Sequence, residues 1–117
     1  MATDVLIVDD SATFRAVARA LLEEGGFTVV GEAATAAEGL ASARRLRPDC
    51  VLLDVQLPDG DGFAIATLLA EEDDRPAVVL ISSRDLNDLE SLLEQTPVRG
   101  FLAKERLSAQ ALVELLR

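Results

Sequence analysis

The sequence predicts an open, doubly wound α/β sheet, on three observations. Short apolar runs of strand type alternate five times with amphipathic stretches of helical period. The connections between them are short and rich in Asp, Ser, Gly and Pro. A length of 117 residues suits one domain, whereas a closed eight-fold barrel needs about 250. Strict alternation implies a parallel sheet with helices on both faces and right-handed crossovers.

The elements follow in chain order. Val5-Leu6-Ile7-Val8 is the first strand and stops abruptly at Asp9-Asp10. Ser11 can cap a helix whose Phe14, Val17, Ala18, Leu21 and Leu22 share one face, and Gly25-Gly26 ends it. Phe27 to Val30 is a second strand. Thr35 and Glu38 form a capping box for a helix with Leu40, Ala43 and Leu46 as its apolar stripe, ended by Pro48. Val51-Leu52-Leu53 is the third strand and stops at Asp54, before the turn-rich Pro58-Asp59-Gly60-Asp61-Gly62. Phe63, Ile65, Leu68 and Leu69 start a third helix that closes between residues 71 and 74. Ala77 to Ile81 is continuous and apolar, as expected of a strand buried on both faces, and Ser82-Ser83 follow it. Leu86, Leu89 and Leu93 mark a fourth helix. Gly100-Phe101-Leu102 is the fifth strand, with Lys104 just beyond. Ser108 caps the last helix, Leu107 and Leu112 are placed as a hydrophobic staple, and Leu112, Leu115 and Leu116 face the core. The expected architecture is therefore a three-layer, flavodoxin-like (βα)5 unit over residues 1–117, with strand order 2-1-3-4-5.

Composition excludes several classes of function. Net charge is −10, which argues against nucleic-acid binding by this segment, because phosphate contacts need Lys and Arg. The chain has no histidine, so it cannot build a Ser-His-Asp or Cys-His triad alone, nor the usual His-containing zinc sites. Cys50 is the single cysteine and lies in an apolar run, where a small buried hydrophobe is expected. Met1 to Asp4 lack the basic and apolar regions of a signal peptide, and no apolar run is long enough to span a bilayer. A cytoplasmic protein without membrane contact is expected. Lys104 is the only lysine, against ten arginines.

In open α/β sheets the ligand site lies beyond the carboxyl ends of the strands, where the strand order reverses. Strand one ends in Asp9 and Asp10, strand three in Asp54 and strand four in Ser82; Lys104 follows strand five. Strand two is expected to end at Val30-Gly31 with no matching reactive group. Three converging carboxylates repel, each pair at ~4 Å by about 4 kcal/mol at an effective dielectric near 20. A hard divalent cation with oxygen ligands would compensate them, and Mg²⁺ typically takes one or two carboxylates plus waters and phosphate oxygens. A carboxylate nucleophile, a cation, an ammonium and a hydroxyl together suit phosphoryl transfer.

These residues resemble the receiver domain of bacterial two-component response regulators along essentially the whole chain. The resemblance rests on Asp9-Asp10 after an apolar strand, Asp54 in Leu-Leu-Asp-Val-Gln-Leu-Pro-Asp-Gly-Asp-Gly, Ser82 after Val-Val-Leu-Ile, and Lys104 in Gly-Phe-Leu-Ala-Lys. It implies that Asp54 accepts a phosphoryl group from a histidine kinase or phosphotransfer protein. It implies that Asp9, Asp10, Asp54 and the main-chain carbonyl of Gln56 hold Mg²⁺ or Mn²⁺, with Asp9 acting through water. Ser82 and Lys104 would bind phosphoryl oxygens, Ser82 and Phe101 would form the switch, and Gln56 and Ser83 would tune phosphoryl lifetime. The segment from Gly100 to Ser108 further resembles receivers of the NarL/LuxR type. This implies control of transcription through a C-terminal DNA-binding output domain outside this chain, with homodimerisation on phosphorylation. A stand-alone receiver acting by protein contact is the alternative.

The family pattern is modified in places. Glu105 follows Lys104 where many receivers carry proline in a cis bond. A cis bond before a non-proline residue costs ~3 kcal/mol, so a different loop is expected there. Phe101 replaces the more frequent tyrosine and is also simply a core residue. Without histidine the chain cannot be its own phosphohistidine donor. It is not expected to be an enzyme beyond its own phosphorylation and dephosphorylation. A haloacid-dehalogenase-like phosphatase would show Asp-x-Asp after strand one, whereas Asp9 and Asp10 are adjacent. Individually, Asp9 or Asp10 could cap the first helix, Ser82 could be a turn residue, Lys104 a surface charge, and Asp59 and Asp61 turn residues.

Overall fold

The computed structural model describes residues 3–73, 75–83 and 94–117. The main sheet has five parallel strands: β1 (Asp4–Val8), β2 (Thr28–Ala33), β3 (Cys50–Asp54), β4 (Ala77–Ser82) and β5 (Gly100–Ala103). Their spatial order is β2-β1-β3-β4-β5, as expected. The described residues include the helices α1 (Ala12–Glu24), α2 (Ala36–Leu46), α3 (Gly62–Ala70) and α4 (Ala109–Leu116). The stripe Leu86, Leu89, Leu93 lies outside the described residues.

Alternation along the strands divides the core into two layers, because successive side chains point to opposite faces. Leu6, Val8, Val51, Leu53, Val78 and Leu80 pack on one face against Ala36 and Ala43 of α2 and Ile65, Ala66 and Leu69 of α3. Val5, Ile7, Cys50, Leu52, Val79 and Ile81 face the other way, toward Ala18 and Leu22 of α1 and Leu112 of α4. β1 and β3 are nine-tenths or more buried through Val5–Val8 and Cys50–Leu53, which is why they are unbroken apolar runs. Burial pushes the Cys50 thiol up to about 12, so it is a packing residue and not a nucleophile at neutral pH.

Each of these four helices starts on a hydroxyl or carboxylate cap. Ser11 Oγ accepts from Phe14 N, Thr35 Oγ1 from Glu38 N, Asp61 Oδ1 from Ala64 N and Ser108 Oγ from Ala111 N, all within 3.1 Å. Glu38 reaches back to the amide of Ala34, one residue before the cap. Leu107 and Leu112 are both buried in the same layer, as a staple requires.

Two expectations are corrected. β2 runs to Ala33 rather than Val30. Val5 pairs with Val29 but Leu6 with Gly31, so Val30 is an extra bulged residue that carries the pairing onward. Glu32 is tolerated there because Arg15 and Arg19 bind its carboxylate. On α1 the buried face is narrower than the apolar pattern: Ala18 and Leu22 are fully buried, whereas Val17 is 52% and Leu21 37% exposed. Leu68 of α3 is likewise 41% exposed.

Candidate functional site

The carboxyl ends of β1, β3 and β5 bring four charged groups into one pocket. Asp9 and Asp10 follow β1, Asp54 ends β3, and Lys104 follows β5. One carboxylate oxygen from each of Asp9, Asp10 and Asp54 lies within 4.8 Å of the others. Asp9 is fully buried and Asp54 nearly so, while Asp10 opens to solvent. Lys104 Nζ bridges two of them, 2.6 Å from Asp9 Oδ2 and 3.2 Å from Asp54 Oδ2. The Phe14 ring lies beneath the ammonium, its centroid 4.7 Å away, so α1 supplies a cation–π floor that the sequence did not single out.

Backbone amides complete the cradle. Asp9 Oδ1 accepts from Ser11 N at 2.8 Å and Asp54 Oδ1 from Gln56 N at 3.1 Å. Asp9 therefore does not cap α1; Ser11 does. Gly62 passes so close behind Asp54 that an added Cβ would stand 2.4 Å from the Asp54 carbonyl oxygen, and Gly62 N donates to Val55 O at 2.9 Å. The short pairing of Gln56–Leu57 with Gly60–Asp61 folds the intervening loop back toward this point.

Charge and burial oppose one another here. Burial raises the Asp54 carboxyl above its ordinary value and the Asp9 charge adds to this, while the Gln56 amide and Lys104 pull it down. Burial alone would lower the Lys104 ammonium, but its contact with Asp9 and the charge of Asp54 outweigh that and hold it above its ordinary value. Asp9 Oδ2 is buried, and the Lys104 ammonium at 2.6 Å compensates its charge. Three carboxylate oxygen donors converging within 4.8 Å of one another, from Asp9, Asp10 and Asp54, fit a hard divalent cation.

The remaining predicted residues lie on β4, on β5 and in the segments that follow β3 and β4. Ser82 is buried at the end of β4, paired in register with Ala103, and Ser83 beside it is exposed. Gln56 is exposed next to Asp54. Phe101 is half-buried, pairs with Leu80 and packs on the α2/α3 layer. Lys104 opens a short 3-10 turn over Lys104–Arg106, and no cis peptide occurs among the described residues.

The response regulator receiver domain model matches residues 5–117. The chain belongs to that family. A protein-glutamate methylesterase/protein-glutamine glutaminase of Anaeromyxobacter dehalogenans is 43% identical across 97% of this chain and 35% of its own length. A probable C4-dicarboxylate response regulator of Halalkalibacterium halodurans is 33% identical across 90% of this chain and 48% of its own. The signal receiver domain of the putative response regulator NarL from Mycobacterium tuberculosis superposes with a TM-score of 0.86 at 31% identity, covering 98% of this chain and 96% of that one. This receiver thus spans between about a third and a half of the length of those two full-length relatives. It is a response regulator receiver of two-component signalling, and the phosphatase alternative is set aside. No helix among the described residues is long and apolar enough to cross a membrane.

Proposed function

We propose that this receiver accepts a phosphoryl group on Asp54 and uses the added charge to switch its output surface. The observation that carries this reading is Lys104 Nζ, held between Asp9 and Asp54 at the ends of three strands. Asp9, Asp10 and Asp54, with the Gln56 carbonyl, would hold Mg²⁺ or Mn²⁺. When bound, that ion supplies positive charge to the phosphoryl oxygens.

The chain's own residues do the rest. An Asp54 carboxylate oxygen attacks phosphorus, the bond from phosphorus to the donor nitrogen breaks, and the imidazole leaves with a proton from solvent. Lys104 exchanges its contact with Asp54 for one with a phosphoryl oxygen, and the Ser82 hydroxyl donates to another. The new dianion draws Ser82 and its loop inward, and Phe101 follows as the neighbouring strand adjusts. Gln56 and Ser83, beside the phosphoryl group, set its lifetime. With no histidine in the chain, the donor is a cognate histidine kinase, a phosphotransfer protein or a small phosphodonor.

The receiver is read as cytoplasmic, free of direct nucleic-acid contact and dimeric when phosphorylated. Its output lies in a separate domain, and transcription control is the first reading. A methylesterase output is the second, favoured by 43% identity to a methylesterase across nearly the whole receiver. Acetyl phosphate with Mg²⁺ should label the wild type and not Asp54→Asn; equal labelling of the two would overturn the reading.

A further inference from the structure

The phosphoryl-transfer reading leaves one partly exposed polar arrangement unused. One turn into α1, Arg15 Nη1 donates to the main-chain oxygen of Asp9 at 2.6 Å, while its Nε pairs with Glu32 Oε1 at 3.0 Å. Glu32 is shared: its other oxygen accepts from Arg19 Nε at 2.8 Å. Bonding to Arg19 holds the Glu32 carboxyl below its ordinary value against slight desolvation, with Arg15 adding to this. The Arg15 side chain is only 17% exposed, against 37% for Arg19. Arg15 is thus a tie with one end on the loop that carries Asp9 and Asp10 and the other on β2.

We propose that Arg15, held by Glu32, is a positioning residue for the acidic pocket: it fixes the Asp9 carbonyl and so the angle at which Asp9 and Asp10 present their oxygens. The proposal rests on the phosphoryl-transfer reading. Mg²⁺ demands near-ideal octahedral geometry, so a loop free to rotate would bind it less well. Only the planar guanidinium fork serves two partners in fixed directions; a lysine keeps the charge and loses the fork. Charge alone predicts the opposite outcome, because deleting a cation beside a cation site strengthens binding there.

The test is Mg²⁺ titration of the full chain by amide NMR, with thermal melting and acetyl-phosphate labelling in parallel. Arg15→Met and Arg15→Lys should both weaken Mg²⁺ binding about 10-fold, the low end for losing a residue that orients metal ligands. Glu32→Gln, which leaves the Asp9 loop intact, should weaken it by less. Arg44→Met, which breaks a surface pair with Glu72 far in sequence from the pocket, should not change it. Arg15→Met binding as tightly as wild type or tighter, with Arg15→Lys unchanged, would overturn the proposal. So would a lowered melting temperature with unchanged affinity, as a purely structural role predicts. Wild type that neither binds Mg²⁺ nor labels would overturn the phosphoryl-transfer reading itself, and the proposal with it.

Discussion

Asp59 holds the first turn of α2 from the loop that follows Asp54: its Oδ1 accepts from Ala36 N at 2.6 Å and its Oδ2 from Ala37 N at 3.1 Å. Two orphan amides of the helix are satisfied by a carboxylate more than twenty residues away, which also sits favourably at the positive end of the helix dipole. The loop after Asp54 is thereby tied to the neighbouring helix.

Those two amides hold the Asp59 carboxyl below its ordinary value. A lowered folded-state pKa contributes stability above the unfolded pKa, and that stability is lost as pH falls through the folded one. Asp59→Ala should therefore melt a few degrees lower than wild type at neutral pH, and the gap should close in acid below the usual carboxylate range. Hydrogen exchange at Ala36 and Ala37 should accelerate selectively. A pH-independent gap would show that the carboxylate charge is not what the helix uses.

Asp54 has the opposite sign. Its folded-state pKa is raised, first by burial and then by Asp9. Such a group stabilises the fold fully below its unfolded pKa and loses that contribution as pH rises through the folded value, so ionised Asp54 costs stability at neutral pH. Asp54→Asn should raise the metal-free melting temperature at pH 7, and the gain should vanish in acid. Mg²⁺ should reverse the ranking, since a ligand at 100 times its Kd adds about 2.7 kcal/mol to the form that binds it. A metal-free Asp54→Asn that melts below wild type at pH 7 would contradict the sign.

The layout of this site was legible because each reactive residue interrupts an apolar strand. Asp9, Asp54, Ser82 and Lys104 stand at strand ends, and strand order alone brings those ends together. Tertiary partners were not legible. Nothing local distinguishes Asp59 from a turn residue, and its partners at Ala36 and Ala37 are set by how the loop crosses α2. The same holds for β2, where Gly31-Glu32 has the composition of a turn until Arg15 and Arg19 satisfy Glu32. The face of α1 was overestimated because Val17 and Leu21 share the period of Leu22 but lie at the margin of what the sheet covers.

Gly62 tests how tightly the backbone is packed behind Asp54. An alanine Cβ there would lie 2.4 Å from the Asp54 carbonyl oxygen and 3.0 Å from Val55 Cα, both backbone atoms that cannot rotate away. Gly62→Ala should cost about 1–3 kcal/mol by denaturant titration, the range for forced overpacking. Gly60→Ala, whose added Cβ meets only the Ala36 methyl at 3.6 Å, should change stability by no more than ~0.5 kcal/mol. Equal effects at the two positions would mean that the loop, and not the contact with Asp54, sets the requirement for glycine.

The two edges of α1 separate burial from apolar character. Leu22 is fully buried between the sheet and α4, while Val17 is 52% exposed. Truncating Leu22 removes buried methyl groups and leaves a cavity, so Leu22→Ala should cost about 2–5 kcal/mol. Val17→Ala removes little buried area and replaces a β-branched residue with the best helix former, a gain of up to ~0.6 kcal/mol. It should therefore be neutral or slightly stabilising in the isolated receiver. A loss beyond ~1 kcal/mol at Val17, well outside the range for ordinary surface positions, would show that a second surface covers this face of α1 in solution, and its dependence on protein concentration would show whether that surface is another copy of the chain.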